Sequence, residues 1–490
     1  LKTIFSEKLT HDRVDFTAIE VYATPRRFAV LISGLASGQR SEIAELKGPS
    51  AQAAYDSDGN PTKALQGFMK GNGVEAKDLK VVETDKGKYI YACKQLDAGK
   101  TEEIIPAIVT EAVNSIPFPK RMKWSNKKLT FPRPINYFVL MFNDRLIPFE
   151  IEGITAGTRT RGHFVQFNRM VEIEKISFYE KILNDNGVIL NQDDRKEKIR
   201  RALADAAVKA GGILNEDEDL LDTVTYLVEQ PYIATCHFNP DFLKIPDIVL
   251  ITEMKEHQKN FAILDQNGRL MNSFLAVSNN PVTAFIIRGN VKVISARFKD
   301  AGFFYTEDAK LKLADRVESL KSVLFHKELG SIYDKIERMK SIALNLCGEL
   351  ELDGSTKSKI ERAVFLSKAD LDTAMVYEFA SLQGRVGRIY AINDGEDKEV
   401  AEAINEQYMP RFSGDVVPSA IVSVVTSLSE KIDNIFGSFS VGNIPKGSQD
   451  PYALRRQANA VVELLVRNNL NVDMSRLLNS VAANYRSGVE

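Results

Sequence analysis

From about Ala301 to the end of the chain, apolar residues return at helical spacing almost without a break. Leu313, Val317, Leu320 and Leu324 form one stripe, and Ile332, Ile336, Met339, Ala343 and Leu346 a second. Within Pro418–Phe436 a third comprises Ile421, Val424, Leu428, Ile432 and Ile435, and Leu454, Ala458, Val461 and Leu465 make a fourth. A residue three or four positions on returns to the same side of a helix, so each stripe is one buried face. Faces that follow one another so closely must pack together, which makes residues 301–490 an all-helical bundle. Asp450-Pro451 is expected to open the last of these helices, with Asp as N-cap and Pro in the first helical position.

The first 300 residues have a different texture. Ala18–Ala23 and Phe28–Leu35 read as strands around Thr24-Pro25-Arg26-Arg27, where proline suits a turn. Asp56-Ser57-Asp58-Gly59-Asn60-Pro61 reads as a loop, Lys63–Lys70 as a short helix, Lys88–Lys94 as a strand and Glu102–Asn114 as a helix. Asn136–Phe142 and Arg145–Ile151 are expected to pair across Asn143-Asp144. After Glu172, helices at Phe178–Leu183 and Asp193–Ala210 precede strands at Ile233–Phe238, Asn260–Leu264 and Leu270–Val277, the last two joined across Gln266-Asn267-Gly268. The expected fold class is α+β multidomain, with domains at 1–170, 171–300 and 301–490.

Composition excludes several classes. No run of about 18 apolar residues exists, so no transmembrane helix is expected. The opening Leu1-Lys2-Thr3-Ile4-Phe5-Ser6-Glu7 has no secretory character, and the missing initiator methionine points to a start further upstream. Cys93, Cys236 and Cys347 stand too far apart for a paired framework, which fits a reducing, cytoplasmic setting. The five histidines show no two-histidine metal spacing. Neither a P-loop, nor a GxGxxG turn, nor a GxSxG elbow, nor the HIGH and KMSKS signatures occur, so no nucleotide site and no catalytic residue is assigned.

Charge is balanced overall, with 64 basic and 66 acidic residues, but clustered locally. Lys120, Arg121, Lys123, Lys127, Lys128 and Arg133 surround Trp124, the only tryptophan, with no acid between Pro117 and Arg133. Arg159, Arg161 and Arg169 fall in a second acid-free stretch, Ile154–Met170, and Arg288, Lys292, Arg297 and Lys299 in a third, Pro281–Lys299. A balanced chain attracts a polyanion only through such patches. Each run also reads as a solvated loop. Trp124 suits stacking on an unpaired base or packing on Pro117, Pro119 or Pro132. Arg26-Arg27 at a turn tip, and Arg455-Arg456 on the flank of the last helix, suit phosphate contacts or salt bridges.

One constellation hints at hydrolysis. Metal-dependent HD phosphohydrolases draw a His, a His-Asp pair and a later Asp from one helical bundle to hold an ion that activates water. Here His326, Ala369-Asp370 and Asp433 fall in that order, with alanine in place of the central histidine. A lost ligand removes affinity and geometry, so a degenerate site without metal is expected.

Three N-terminal stretches resemble one family: Thr24-Pro25-Arg26-Arg27-Phe28-Ala29-Val30, Pro119-Lys120-Arg121-Met122-Lys123-Trp124 with Phe131-Pro132-Arg133-Pro134, and Thr158-Arg159-Thr160-Arg161-Gly162-His163. Further along, Leu366-Ser367-Lys368-Ala369-Asp370-Leu371, Met375-Val376-Tyr377-Glu378-Phe379, Leu382-Gln383-Gly384, Asn405–Phe412 and Asp450–Arg456 continue the likeness. In order and together they resemble the β subunit of bacterial glycyl-tRNA synthetase. The resemblance implies an α2β2 ligase whose α subunit carries the class II core for ATP, Mg and glycine, leaving no cofactor in this chain. It implies a B3/B4-like α+β module at 171–300 and an HD-like helical body at 301–490. It further implies a chain that stops before the anticodon-binding domain, holds tRNA(Gly), and is inactive alone. The tRNA-binding candidates are then Arg26, Arg27, Lys120, Arg121, Lys123, Trp124, Arg133, Arg159, Arg161, Arg455 and Arg456. An HD-type phosphohydrolase and a pure assembly scaffold for α are the alternatives.

Overall fold

The computed structural model describes residues 1–490 except 57–58, 86, 97, 448, 483–484 and 486–490. Ser57 and Asp58 of the expected loop, and Ser448 before the last expected helix, thus lie outside the described residues. The chain divides into two compact units. The first comprises 1–202, 218–233 and 277–281, and the second 203–217, 234–276 and 282–490.

In the first unit, Ala18–Thr24 and Arg27–Ser33 pair antiparallel with Thr24 opposite Arg27, so Pro25 and Arg26 form the tip of a tight hairpin. Ile19 packs with Phe5 and Leu9 of the helix Lys2–His11 and with Ile108 and Ala112 of the helix Thr101–Ser115. A second sheet places Gly87–Leu96 between Glu42–Ser50 and Leu79–Thr84. The helix Lys63–Asn72 seats Leu65 against Ala54 and Ile90 of that sheet region. From Met122 to Glu172 the strands are only two to four residues long. The expected hairpin around Asn143-Asp144 is reduced to Met141–Phe142 against Arg145–Leu146. The hairpin tip is anchored from below by Arg195, whose side chain is sealed from solvent. Its guanidinium donates to the carbonyls of Ala23 at 2.7 Å, Ile189 at 2.6 Å and Thr225 at 2.8 Å. Burial lowers its pKa to about 10.

The second unit holds most of a four-stranded sheet in the order Ile213–Leu214, Phe261–Leu264, Leu270–Ser278, Tyr232–His237. Leu264 pairs with Leu270 across the turn containing Gly268, whose φ of 76° lies in the left-handed region. Phe238, Phe274 and Phe298 form its core, with Phe238 edge-on to Phe298 at 5.0 Å. Phe298 belongs to the helix Ala284–Asp308, which absorbs the third basic run and was not anticipated as a helix.

The helical remainder follows its apolar stripes with three departures, the first being Ala458 of the fourth stripe, which is exposed on the helix Leu454–Arg467. Ile332, Ile336, Met339, Ala343 and Leu346 are all buried on the helix Ile332–Glu349. That helix starts with reciprocal bonds between Ser331 and Asp334, which satisfy two N-terminal backbone donors. It packs on the helix Ile421–Ser440, in which every residue from Val422 to Asp433 is buried. The Thr426 and Ser429 hydroxyls there donate to carbonyls one turn back, at 2.7 Å each, so small polar side chains are tolerated inside. The Leu313–Leu324 stripe is not one helix. Leu313, Val317 and Leu320 are buried along a short α turn and a 3-10 segment, after which Leu324 enters the strand Leu324–His326, 71% exposed. The last expected helix starts at Leu454 rather than Pro451. Asp450 still satisfies its first donors, accepting from the N–H groups of Leu454 at 2.8 Å and Arg455 at 3.0 Å.

Candidate nucleic-acid interface

In the first unit, basic residues far apart in sequence meet around the hairpin tip. Arg27 turns inward. Its guanidinium donates to Glu229 at 3.1 Å, to the Thr160 hydroxyl at 3.2 Å and to the Arg161 carbonyl at 3.0 Å. Glu229 is fully buried and also accepts from the Thr24 hydroxyl at 2.8 Å. Burial opposes the charge on Arg27, yet the facing Glu229 together with Tyr137 and Tyr179 outweighs it and raises the guanidinium pKa. This buried pair ties the hairpin to the strand Arg159–Arg161.

The tie leaves other cations outside. Arg26 is exposed and lies over the Phe164 ring at 4.2 Å. Arg133 is exposed and donates to the Pro25 carbonyl at 3.4 Å. Phe28, Phe118 and Phe131 form a triad with centroids 5.0–6.3 Å apart, and it holds the 117–133 segment on the hairpin. Lys120, Arg121 and Lys123 stand exposed on that segment. Arg121 bends back to the Asn114 and Ile116 carbonyls. Arg159 pairs with Glu172 at 2.9 Å, and Arg161 donates to the Asn168 carboxamide at 3.1 Å. Trp124 is half-buried against the apolar cluster of Leu129, Phe149 and Ile151.

In the second unit the four positions expected to form a degenerate metal site behave differently from one another. His326 is tied to its own turn, its Nδ1 accepting from the Glu328 N–H at 3.2 Å. Ala369 is buried. Asp433 is sealed from solvent and takes bonds from Lys335 at 2.7 Å, Arg338 at 2.8 Å and the Tyr485 hydroxyl at 2.6 Å. Lys335 also reaches Asn434 at 2.6 Å and Glu430 at 3.4 Å, and Lys368 meets Glu430 at 3.0 Å. Burial pushes the Glu430 carboxyl up, but the two lysines together hold it down to about 2. Asp370 is different again. Its Oδ2 accepts from the Gly384 N–H at 2.6 Å while Oδ1 is buried without a partner, and burial raises its pKa to about 6. Among the described residues no three His, Cys, Asp or Glu side chains come together as a metal site. The cations facing these carboxylates are side chains of the chain itself.

Of the remaining candidates, Arg455 donates to the Gly447 carbonyl at 2.6 Å, whereas Arg456 faces a cleft in the second unit. Sequence reasoning missed Lys335, Arg338, Glu430 and Glu229. Lys335 had a signal, because it sits three residues after Ile332 and one before Ile336, on the buried face of its stripe. Glu229 carries no such mark.

The chain belongs to the glycyl-tRNA synthetase beta subunit family, whose sequence profile matches residues 1–489. A glycine–tRNA ligase beta subunit of Desulfitobacterium hafniense is 40% identical over 475 residues, 96% of this chain and 68% of that protein. That of Clostridioides difficile is 40% identical over 487 residues, covering 99% and 70%. That of Moorella thermoacetica is 37% identical over 490 residues, covering 100% and 71%. The chain is thus a component of an aminoacyl-tRNA ligase for glycine, and it spans about two thirds of the length of these relatives. Among the described residues no helix is long and apolar enough to cross a membrane.

Proposed function

We propose that this chain holds tRNA(Gly) through its backbone phosphates and presents the acceptor end to a class II α subunit, which binds ATP, Mg and glycine. The contribution is proximity and orientation rather than chemistry, so the chain alone charges no tRNA. In this reading the complex is a cytoplasmic α2β2 enzyme, residues 171–300 act as a B3/B4-like module, and 301–490 act as an HD-like body with its metal positions ion-paired.

The observation that carries the reading is the meeting of three basic segments on one unit. Arg26, Arg133 and the 120–124 stretch share the hairpin surface, and Arg27 welds it to Arg159 and Arg161. Phosphate contacts of this kind set register and carry little sequence information. Arg27 is a positioning residue, since its guanidinium is spent on Glu229, Thr160 and Arg161. Metal-dependent hydrolysis is disfavoured because both oxygens of Asp433 are occupied by cationic side chains.

The test is the intact α/β enzyme carrying Arg26→Glu and Lys123→Glu. Charging of tRNA(Gly) is expected to fall at least tenfold while glycyl-adenylate formation, read by pyrophosphate exchange, stays unchanged. Arg455→Ala with Arg456→Ala is expected to act in the same direction. Charging unchanged in the Arg26/Lys123 variant overturns the assignment.

A further inference from the structure

The second unit contains a cleft of about 610 Å³. Its walls come from the helix Asp247–Gln258, residues 380–383, the start of the helix Arg385–Asn393, residues 407–411, and the helices Ile421–Ser440 and Leu454–Arg467. Five basic side chains line it against two acidic ones, a formal surplus of three positive charges. Both acids are committed elsewhere. Glu430 faces Lys335 and Lys368, and Glu256 accepts a hydrogen bond from Ser381. Lys431 is buried in the wall, its ammonium donating to the Met409 carbonyl and the Ser427 hydroxyl at 2.8 Å each.

Lys255 pairs with Asp217 at 2.5 Å, so Arg385, Arg411 and Arg456 are the cations that remain. Among the described residues none of their guanidiniums donates a hydrogen bond or closes an ion pair. Asp415 stands near Arg385 and Arg411, but its oxygens accept the backbone N–H groups of Arg411 and Val416 at 2.8 Å each. Burial, and then repulsion from Arg411, disfavour the charge on Arg385. Three elements of the fold therefore bring like charges to one concavity, an arrangement that an anion between them stabilises. Guanidinium forks match the oxygens of a phosphate in bidentate fashion. The cleft volume falls in the range of small-molecule sites, about 300–1,000 Å³, which suits one nucleotide rather than a strand.

We propose that this cleft binds a small phosphate ester of the nucleoside monophosphate class, with Arg385, Arg411 and Arg456 holding the phosphate. The proposal does not depend on the tRNA-holding function above. It is tested by calorimetric titration of the full chain, without α, against AMP, inorganic phosphate and adenosine at low salt. Saturable binding of one AMP per chain is expected, with adenosine binding at least tenfold weaker. Arg385→Ala is expected to weaken AMP binding at least tenfold. Arg456→Ala, whose exposed side chain supports no packing, is expected to weaken it severalfold without changing Tm. Lys398→Ala, exposed outside the cleft, leaves it unchanged. The proposal fails if the folded chain binds neither AMP nor phosphate, if both arginine variants bind AMP as tightly as the parent, or if only a single-stranded RNA oligonucleotide binds.

Discussion

The ammonium of Lys335 lies 2.7 Å from the carboxylate of Asp433, and both are closed off from water. Such a pair adds little over a well-packed apolar substitute, but removing one member strands the other. Lys335→Met leaves Arg338 as the one cation on Asp433, beside the Tyr485 hydroxyl, and takes one of two lysines from Glu430. The expected loss is about 3–5 kcal/mol, read from urea denaturation. The double variant Lys335→Met/Asp433→Leu is expected to recover part of it. An unchanged midpoint in the single variant refutes the pairing.

Asp370 makes stability depend on pH in a direction opposite to most carboxylates. Its native pKa, about 6, lies above the ordinary aspartate value. The native state therefore binds the proton more tightly, and the associated stability is full below about pH 4 and is lost as pH rises through 6. Glu430, held down to about 2, contributes in the other sense, its stabilisation being lost as pH falls below the usual glutamate range. Comparing the parent with Asp370→Asn isolates the first effect. The difference in unfolding free energy between the two is expected to change by roughly 2–3 kcal/mol between pH 4 and pH 7. A constant difference across that range contradicts the burial argument.

Two glycine-to-alanine changes are expected to have opposite signs. A Cβ on Gly387 would come within 2.9 Å of Asp370 Oδ2 and 2.8 Å of Ile404. Both neighbours are buried, so Gly387→Ala costs about 1–3 kcal/mol through overpacking. Gly289, inside the helix Ala284–Asp308, has open space where a Cβ would go. Gly289→Ala therefore stabilises by about 0.5–1 kcal/mol. Thermal unfolding of both variants checks the pair of signs.

If the hairpin surface carries phosphate contacts, its affinity has a salt signature. Each contact removed lowers the slope of log K against log salt by about 1. Arg26→Ala and Lys123→Ala are expected to flatten the slope for tRNA(Gly) in the α/β complex, alone and additively. Retention of the full slope in the double variant removes these residues from the interface.

How much of this was readable from residues alone depended on whether the deciding contacts were local. The Ile332–Leu346 stripe gave its helix because periodicity is a local signal, and the strands flanking Pro25 and Arg26 were placed for the same reason. Leu313, Val317, Leu320 and Leu324 have helical spacing too, yet Leu324 is drawn into a hairpin with Ser331, a pairing that apolar spacing does not register even at short range. Asp450 was recognised as a cap, but the intervening turn delays the helix by three residues. In the candidate interface, the basic clusters were visible while their convergence was not. That convergence rests on Arg27 meeting Glu229, 202 residues away, and on three phenylalanines from separate segments.

The position of Trp124 has a practical consequence. The sole indole of the chain sits half-shielded in the lysine-rich segment beside the arginine hairpin. Excited selectively near the red edge of protein absorption, it makes the native chain a label-free optical reporter. A shift in emission maximum or quenching on mixing with a polyanion then monitors that one surface, without background from any other tryptophan in the chain.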